Sequence, residues 1–329
     1  MVPVKRLSLA CWDYDRTTAL ATGRVRPEGI ELTYLCLPVE ETFFRMVRHK
    51  EFDVAEMSLS TYVLTLERDR PFVAIPVFPS RAFRHNGIYV HVNAGIHEPR
   101  DLRGRTVGLP EYQVTACVWI RGILEDHYGL RSDSVRYVTG GLRTPGRREK
   151  IDVAPTGVDI SAIGPDDTLE RMLVDGRIDA LYTPRTPQPF LESDPRVGRL
   201  WEDPQAEEAR YFERTRIFPI MHVIVIRREV YEADRWIAAS LLKALEAAKT
   251  MAEERLEETV GSPCMLPWTY HDARRARELM GQDFWSYGVR SNVAVLETFL
   301  RYSFQQGLAS HLYEPSQLFA PETLQSFAI

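Results

Sequence analysis

The sequence predicts an α/β protein built as a two-domain clamshell with a helical C-terminal tail. Short apolar runs alternate with helical patterns along the first two thirds of the chain, which is typical of mainly parallel sheets covered by helices. Two segments, KEFDVAEMS (50–58) and DGRIDALYT (175–183), share the same pattern: each follows a predicted helix and consists of a tight turn, an Asp and then a strand. This repeat indicates two similar units. At 329 residues, the chain is long enough for two domains.

The first unit is predicted to contain five strands and an amphipathic helix. Phe43, Phe44, Met46 and Val47 recur at helical spacing and predict a helix over 40–50. The predicted strands are the apolar runs 5–12, 30–37, 53–58, 72–78 and 88–92, the last preceded by the turn signal Asn86-Gly87.

The pattern restarts at Asp101 and predicts the second unit. The predicted strands are 105–109, 135–138 and 178–182, and the predicted helices are 115–128 and 168–174. A further apolar run, 217–226, is too short for the roughly 20 residues of a membrane-spanning helix and predicts a buried strand. Helices over 234–258, 272–285 and 292–304 form the predicted tail.

This pattern predicts one discontinuous domain of residues 1–95 plus 217–329, including the helical tail, and a second domain of residues 96–216. We expect a ligand to bind in the cleft between them, at the carboxyl ends of the strands.

Composition excludes several classes of protein. Hydrophobic residues are 44% and charged residues 26%, as in ordinary folded proteins. The net charge of −5 without a basic stripe argues against a nucleic-acid partner. The N-terminal apolar run stops at Asp13, too early for a secretory signal, so we expect a cytoplasmic protein with no membrane partner. The four cysteines are far apart and indicate neither a disulfide framework nor a zinc site.

The common catalytic motifs are absent from the sequence. It contains no GxGxxG, GxxxxGK[ST], HExxH or GxSxG. If the protein is an enzyme, its chemistry is therefore expected to depend on general acids, general bases and charge stabilisation.

The densest cluster of polar candidates follows Pro79. In an extended segment Arg81, Phe83 and His85 share one face, which would offer a guanidinium, an aromatic wall and an imidazole to an aromatic acid, while Arg84 points the other way. The alternative is a solvated turn, which the following Asn86-Gly87 favours.

Further candidates lie where predicted strands end. Ser58 and Ser60 follow the first repeat and Thr183 and Arg185 the second, where they could bind a ligand, although a serine there could equally cap the next helix. Glu111 and Tyr112 precede a helix, where Glu111 is either an acid or base or a favourable partner of the helix dipole.

Three candidates come from other parts of the chain. His222 interrupts an apolar strand, where a histidine is more often a satisfied core group than a catalyst. Tyr14 lies at the end of the first strand, and Asp283 could reach the cleft from the tail.

Long ordered blocks of the sequence resemble the 4,5-dihydroxyphthalate decarboxylase family. The resemblance covers about residues 7–125, resumes at DALYTPRTP and continues through DFWSYGVRSN. The quoted blocks are ACWDYDRTTALATGRVRPEGIEL, EETFFRMVRHKEFDVAEMSLSTYVL, IPVFPSRAFRHNGIYV and VGLPEYQVTACVWIRGIL. The resemblance implies the type II periplasmic binding protein fold, adapted to catalysis in the cytoplasm. It also implies conversion of 4,5-dihydroxyphthalate to protocatechuate and carbon dioxide, without an organic cofactor, as a step in phthalate degradation.

That reaction suggests roles for the candidates. Arg81 and Arg185 are predicted to hold the carboxylates, His85 to donate a proton to the ring carbon, and Glu111 or His222 to handle the phenol proton. The other predicted substrate contacts are Tyr14, Ser58, Ser60, Arg84, Tyr112, Thr183 and Asp283.

Three matters stay open at this stage. No residue spacing requires a metal, and a divalent ion bridging the catechol oxygens is left open. The expected partner is a small aromatic dicarboxylate, and a homo-oligomer is also left open. The alternative function is a binding protein that holds an aromatic acid or a similar solute without chemistry.

Overall fold

The computed structural model describes residues 4–325 and divides the chain into two α/β units. Unit 1 consists of the chain up to Arg81, Ile220–Glu297 and the chain from Tyr313 onward. Unit 2 consists of Ala82–Pro219 and Thr298–Leu312. The boundaries therefore differ from those expected: the first lies after Arg81 and not near 95, and 298–312 leaves the predicted tail to join unit 2.

The strands in the described residues are β1 (Lys5–Cys11), β2 (Ile30–Cys36), β3 (Val54–Ser58), β4 (Phe72–Ile75), β5 (Ile88–His91), β6 (Thr106–Leu109), β7 (Arg136–Thr139), β8 (Asp159–Ala162), β9 (Ala180–Tyr182), β10 (Val197–Arg199) and β11 (His222–Arg227). The α-helices there are α1 (Asp15–Ala21), α2 (Val39–His49), α3 (Leu59–Leu66), α4 (Thr115–Tyr128), α5 (Leu169–Val174), α6 (Gln188–Leu191), α7 (Pro204–Thr215), α8 (Arg228–Ala233), α9 (Trp236–Arg255), α10 (Thr269–Met280) and α11 (Val293–Gln305).

The sheet of unit 1 has the order β2-β1-β3-β11-β4. β1 runs parallel to both β2 and β3, whereas β11 is antiparallel to its neighbours β3 and β4. The antiparallel register places His222, the first residue of β11, opposite Ser58, the last residue of β3. The carboxyl ends of β1 and β3 and the start of β11 therefore share one edge of the sheet.

β11 is the buried strand that the apolar run at 217–226 predicted. Val223, Ile224, Val225 and Ile226 are fully buried, and a strand covered on both faces needs such a continuous apolar run. The strand itself begins only at His222, after the bridge between Arg81 and Ile220.

The sheet of unit 2 has the order β10-β5-β9-β6-β7-β8. β9, β6, β7 and β8 are parallel, and β5 and β10 add antiparallel strands at one side. The pairing of β5 with β9 is the reason that the boundary precedes β5: its backbone hydrogen bonds are made within this second sheet.

The segment 298–312 joins unit 2 because its aromatic side chains pack on α4. The ring of Trp119 contacts the rings of Phe299 and Tyr302, with centroids 5.5 and 5.6 Å apart. A Cβ atom at Gly122 would lie 2.2 Å from the Tyr302 ring, so only glycine permits this close approach.

The predicted strands and helices are largely confirmed, but the strands β8 and β10 and the helices α1, α6, α7 and α8 were missed. α7 and β10 lie in the stretch 192–216, whose polar composition conceals a helix with only three buried residues, Glu207, Tyr211 and Phe212. Among the described helices, none has the length and apolar character needed to cross a membrane.

Candidate active site

The centre of the candidate site is Glu56, a carboxylate that is completely buried in β3. Tyr14 Oη donates to its Oε1 (2.7 Å), and the backbone N–H of Trp12 donates to its Oε2 (3.1 Å). The Oε1 atom also lies 2.6 Å from Nδ1 of His222. Burial opposes ionisation, but the charge of His222 and the hydrogen bonds from His222, Tyr14 and Trp12 outweigh it, so the pKa of Glu56 lies below its usual value. Glu56 is therefore an ionised acceptor at neutral pH.

His222 connects this buried carboxylate to the edge of the sheet. Its Nδ1 donates to the ionised Glu56, and the Phe43 ring packs edge-on against the imidazole at 4.9 Å. The side chain is 18% exposed, and within the described residues its Nε2 makes no hydrogen bond. A carboxylate on Nδ1 fixes the orientation of the ring, which leaves Nε2 as the nitrogen that can exchange a proton with a ligand.

Two other titratable groups touch Glu56, but both keep their protons. Burial, and then the charge of Glu56, raises the pKa of Tyr14 and of Cys11 well above their usual values. The Tyr14 phenol is therefore a fixed donor, and the Cys11 thiol, 3.5 Å from Oε2, is not a thiolate nucleophile. Proton exchange in this cluster is left to the imidazole.

Arg16 lies beside the cluster. Its guanidinium carbon lies 4.1 Å from the centroid of the Tyr14 ring and 4.2 Å from that of the Trp285 ring. The Nε donates to the carbonyl oxygen of Pro79 (2.6 Å), and Nη1 donates to Asp15 (2.9 Å). The side chain is 16% exposed.

The structure brings together three of the predicted site residues of unit 1. Tyr14 and His222 both bind Glu56, and Ser58 pairs with His222 across the β3–β11 ladder. Ser58 is the N-cap residue of α3, but its side chain makes no capping hydrogen bond. Ser60 lies in the first turn of α3 and is fully buried.

Arg81 and Asp283 are also in unit 1, where each has a protein partner. Buried Arg81 donates through Nη2 to the carbonyl oxygen of Ser286 (2.6 Å) and to Asn292. This arrangement anchors the segment 286–292 and does not support the predicted role of Arg81 in holding a substrate carboxylate. Asp283 accepts a hydrogen bond from Lys249 (2.8 Å), and its side chain is largely exposed.

The structure does not favour His85 as a proton donor. The side chain is 2% exposed and packs among the rings of Tyr128, Trp201 and Tyr211 in unit 2. Neither ring nitrogen has a hydrogen-bond partner within residues 4–325. Burial lowers the pKa of His85 to about 4, so the ring is uncharged at neutral pH.

Glu111 also differs from its prediction. It is buried and accepts hydrogen bonds from Arg147 Nη2 (2.7 Å), from the backbone N–H of Lys150 (2.9 Å) and from the Lys150 ammonium. A buried carboxylate that two cationic side chains hold in this way forms a structural ion-pair cluster. Tyr112, next to it, is buried under the guanidinium of Arg121 at 3.8 Å.

The remaining candidates of unit 2 have separate surroundings. Arg84 is half-buried near the charge of Glu208. The buried Thr183 hydroxyl exchanges hydrogen bonds with the backbone of Arg185 at 3.1 Å, while the Arg185 side chain is exposed. Their roles in substrate binding stay predictions.

Glu56 is the functional residue that sequence reasoning missed. The signal was present, because VAEMS places one carboxylate in an otherwise small and apolar strand. A charge in a buried strand requires a partner, and that requirement points to a site or a structural pair. Within the described residues no group of three or more His, Cys, Asp and Glu side chains is arranged to hold a metal ion.

The fold has known counterparts. The structure matches the periplasmic aliphatic sulphonate binding protein SsuA from Escherichia coli over 97% of this chain and 99% of the other, with a TM-score of 0.53 and 11% sequence identity. At this identity the likeness shows the fold alone, and it confirms the predicted fold class. The protein is therefore an α/β protein of the periplasmic binding protein fold, with a carboxylate–imidazole pair near the point where β3 ends and β11 begins.

Sequence comparison narrows the class. The chain is 42% identical over 326 residues to the 4,5-dihydroxyphthalate decarboxylase of Comamonas testosteroni, covering 98% of this chain and 99% of that protein. It is 41% identical over 208 residues to the 4,5-dihydroxyphthalate decarboxylase of Pseudomonas putida, covering 63% of this chain and 81% of that protein. No protein-family model matches. The chain belongs to the 4,5-dihydroxyphthalate decarboxylase family, as its sequence blocks predicted.

Proposed function

We propose that this protein converts 4,5-dihydroxyphthalate to protocatechuate and carbon dioxide. Its relatives with that activity in their names support the substrate and the reaction. The structural observation that carries the proposal is the Glu56–His222 pair, in which the imidazole is 18% exposed and its Nε2 makes no hydrogen bond within the described residues. Proton transfer is the catalytic step that this reaction requires from the protein.

The chemistry explains why a positioned acid is needed. An aryl carboxylate leaves slowly because the electrons of its C–C bond would remain in an orbital orthogonal to the ring π system. Adding a proton to the ring carbon that bears the carboxylate makes this carbon tetrahedral, and the hydroxyl in the para position stabilises the resulting cation. The C–C bond then breaks, its electron pair restores the aromatic ring, and carbon dioxide leaves.

His222 is the proposed proton donor. In its imidazolium form it gives the Nε2 proton to the ring carbon and afterwards regains a proton from water, so one proton is consumed in each turnover. The ionised Glu56 at Nδ1 balances the imidazolium charge in a buried setting. His85 is the less suitable donor because its pKa is lowered to about 4.

The proposal needs no organic cofactor. The para hydroxyl stabilises the positive charge of the protonated ring, the breaking C–C bond returns its electron pair to the ring, and His222 supplies the proton. A divalent ion on the catechol oxygens would be detected as a loss of turnover after chelator treatment that added metal restores.

The test compares His222→Asn with His271→Asn in a decarboxylation assay. The asparagine amide at 222 can still donate to Glu56, which preserves the fold, but it has no group at the Nε2 position. We expect protocatechuate and carbon dioxide from the wild type and a turnover about 10²- to 10⁴-fold lower for His222→Asn. His271 is exposed on α10, so His271→Asn should match the wild type.

Binding without turnover would contradict the proposal. In that case 4,5-dihydroxyphthalate would raise the melting temperature of the wild type, but no carbon dioxide would form. Turnover by His222→Asn within threefold of the wild type would retain the reaction and remove His222 as the donor.

A further inference from the structure

The guanidinium of Arg16 is held rigidly. Its central carbon lies over the rings of both Tyr14 and Trp285, at 4.1 and 4.2 Å from their centroids. Both rings are themselves fixed, since Tyr14 Oη donates to Glu56 (2.7 Å) and the indole N–H of Trp285 donates to the carbonyl oxygen of Phe78 (2.9 Å). A guanidinium stacked in this way loses little further freedom when it binds an anion.

The Arg16 guanidinium has more hydrogen-bond donors than its partners in the described residues use. A guanidinium carries five N–H groups, and here one Nε bond to Pro79 and one Nη1 bond to Asp15 are made. In the described part of the chain, Nη2 makes no hydrogen bond. The Asp15 side chain is 59% exposed, so its contact with Nη1 is a weak surface pair that a ligand can replace.

Arg16 and the acid–base pair are joined through Tyr14. One face of the Tyr14 ring contacts the guanidinium, and its hydroxyl binds the same Oε1 atom of Glu56 that holds Nδ1 of His222. A cation and a proton-transfer group are thus held by one aromatic side chain at one edge of the sheet.

We infer that Arg16 binds the carboxylate that the substrate keeps, and so positions the neighbouring ring carbon for His222. The identity of the substrate rests on the proposed function. A cation on the departing carboxylate would stabilise a charge that must disappear as carbon dioxide forms, which would slow the reaction. A cation on the adjacent carboxylate carries no such penalty and gives a fork-shaped, bidentate contact.

The inference is tested by binding, with ligands that do not react. Phthalate carries the two adjacent carboxylates without hydroxyls, and catechol carries the two hydroxyls without carboxylates. Calorimetric titration of Arg16→Gln should show phthalate affinity at least tenfold weaker than in the wild type, with catechol affinity changed less than twofold. The matched control is Arg6→Gln, since Arg6 is an exposed arginine of β1 paired with Glu31.

A conservative variant guards against a folding defect. Arg16→Lys keeps the charge but not the stacked fork, and we expect it to lose part of the phthalate affinity with an unchanged melting temperature. The inference is overturned if the wild type does not bind phthalate, if Arg16→Gln binds it within twofold of the wild type, or if phthalate and catechol weaken equally.

The outcome separates this inference from the proposed function. Phthalate binding that depends on Arg16, without release of carbon dioxide from 4,5-dihydroxyphthalate, supports Arg16 and contradicts the proposed reaction. Release of carbon dioxide from 4,5-dihydroxyphthalate by the wild type, together with normal phthalate binding by Arg16→Gln, supports the proposed reaction and contradicts the role of Arg16.

Discussion

Each unit contains a buried carboxylate, and the two differ in what surrounds them. Glu56 in unit 1 accepts from neutral donors and from one titratable imidazole. Glu111 in unit 2 accepts from Arg147 and Lys150, two cationic side chains. Burial alone therefore does not distinguish a catalytic carboxylate from a structural one. The partner decides, because only a partner that can change its protonation state can pass a proton to a ligand.

The same contrast separates the two histidines. His222 has a carboxylate on one nitrogen and the other nitrogen accessible. His85 packs against three aromatic rings, has no hydrogen-bond partner within residues 4–325, and has its pKa lowered to about 4 by burial. A buried histidine without a hydrogen-bonded carboxylate stays neutral and serves packing.

Among the variants that test this comparison, Glu56→Gln has the largest expected effect. Loss of the carboxylate leaves the His222 imidazolium without its balancing charge and removes an acceptor that several donors share. We expect a turnover roughly 10³-fold lower, by comparison with the loss when the carboxylate behind a catalytic histidine is replaced by an amide. Steady-state kinetics on folded protein measure it. A loss smaller than tenfold would mean that the carboxylate of the pair is not needed.

Glu111→Gln is the matched variant in the other unit. It removes the shared partner of Arg147 and Lys150, and we expect the free energy of unfolding to fall by about 3 kcal/mol. Turnover per folded molecule should stay within twofold of the wild type. Urea unfolding and kinetics on the same preparation measure both. A large loss of turnover with unchanged stability would reverse the comparison and return Glu111 to the catalytic role.

The smallest expected effect belongs to His85→Phe and appears in the dependence of stability on pH. The pKa of His85 is about 4 in the folded chain and about 6.5 when unfolded. Between these values the unfolded chain binds a proton that the folded chain does not, so stability is lost as the pH falls. This single group contributes up to about 1.4 kcal/mol per pH unit. Phenylalanine cannot titrate, and turnover at pH 7 should be retained.

The measurement is the difference in the free energy of unfolding between the wild type and His85→Phe as a function of pH, and not the pH dependence of either protein alone. Burial raises the pKa of Glu149 and of Glu208 to about 7, and these groups favour the folded state as the pH falls through that range. They act equally in both proteins and cancel in the difference. A difference in the free energy of unfolding that is the same at pH 5 and at pH 7 would contradict the lowered pKa of His85. A loss of turnover in His85→Phe as large as that of His222→Asn would restore His85 as the proton donor.

The fold was predictable because its signals are local and repeated. The spacing of Phe43 and Met46 predicts the buried face of a helix, and the apolar run that ends at Ile226 predicts a buried strand. The structure confirms both. The first domain boundary was not predictable in this way. The strand Ile88–His91 has no residue that reveals its partner, and pairing with β9 is a long-range event.

The candidate site was predictable only in part, for the same reason. His222 was visible because a histidine breaks the apolar run IMHVIV. Its partner Glu56 is 166 residues away, and nothing in the spacing of either residue indicates the other. Arg81 and His85 share a short polar segment that suggested a site, yet their surroundings come from distant residues such as Asn292 and Tyr211.

The position of β11 also has a consequence for synthesis of the chain. The strand lies between β3 and β4, but it follows them only after most of unit 2 has been made. Until then the nascent chain presents two apolar strands with unpaired backbone groups facing each other, an arrangement prone to aggregation. The same strand delivers His222 to Glu56. We therefore expect a chain released from the ribosome before His222 to require chaperones, and activity to begin only when the first sheet is complete.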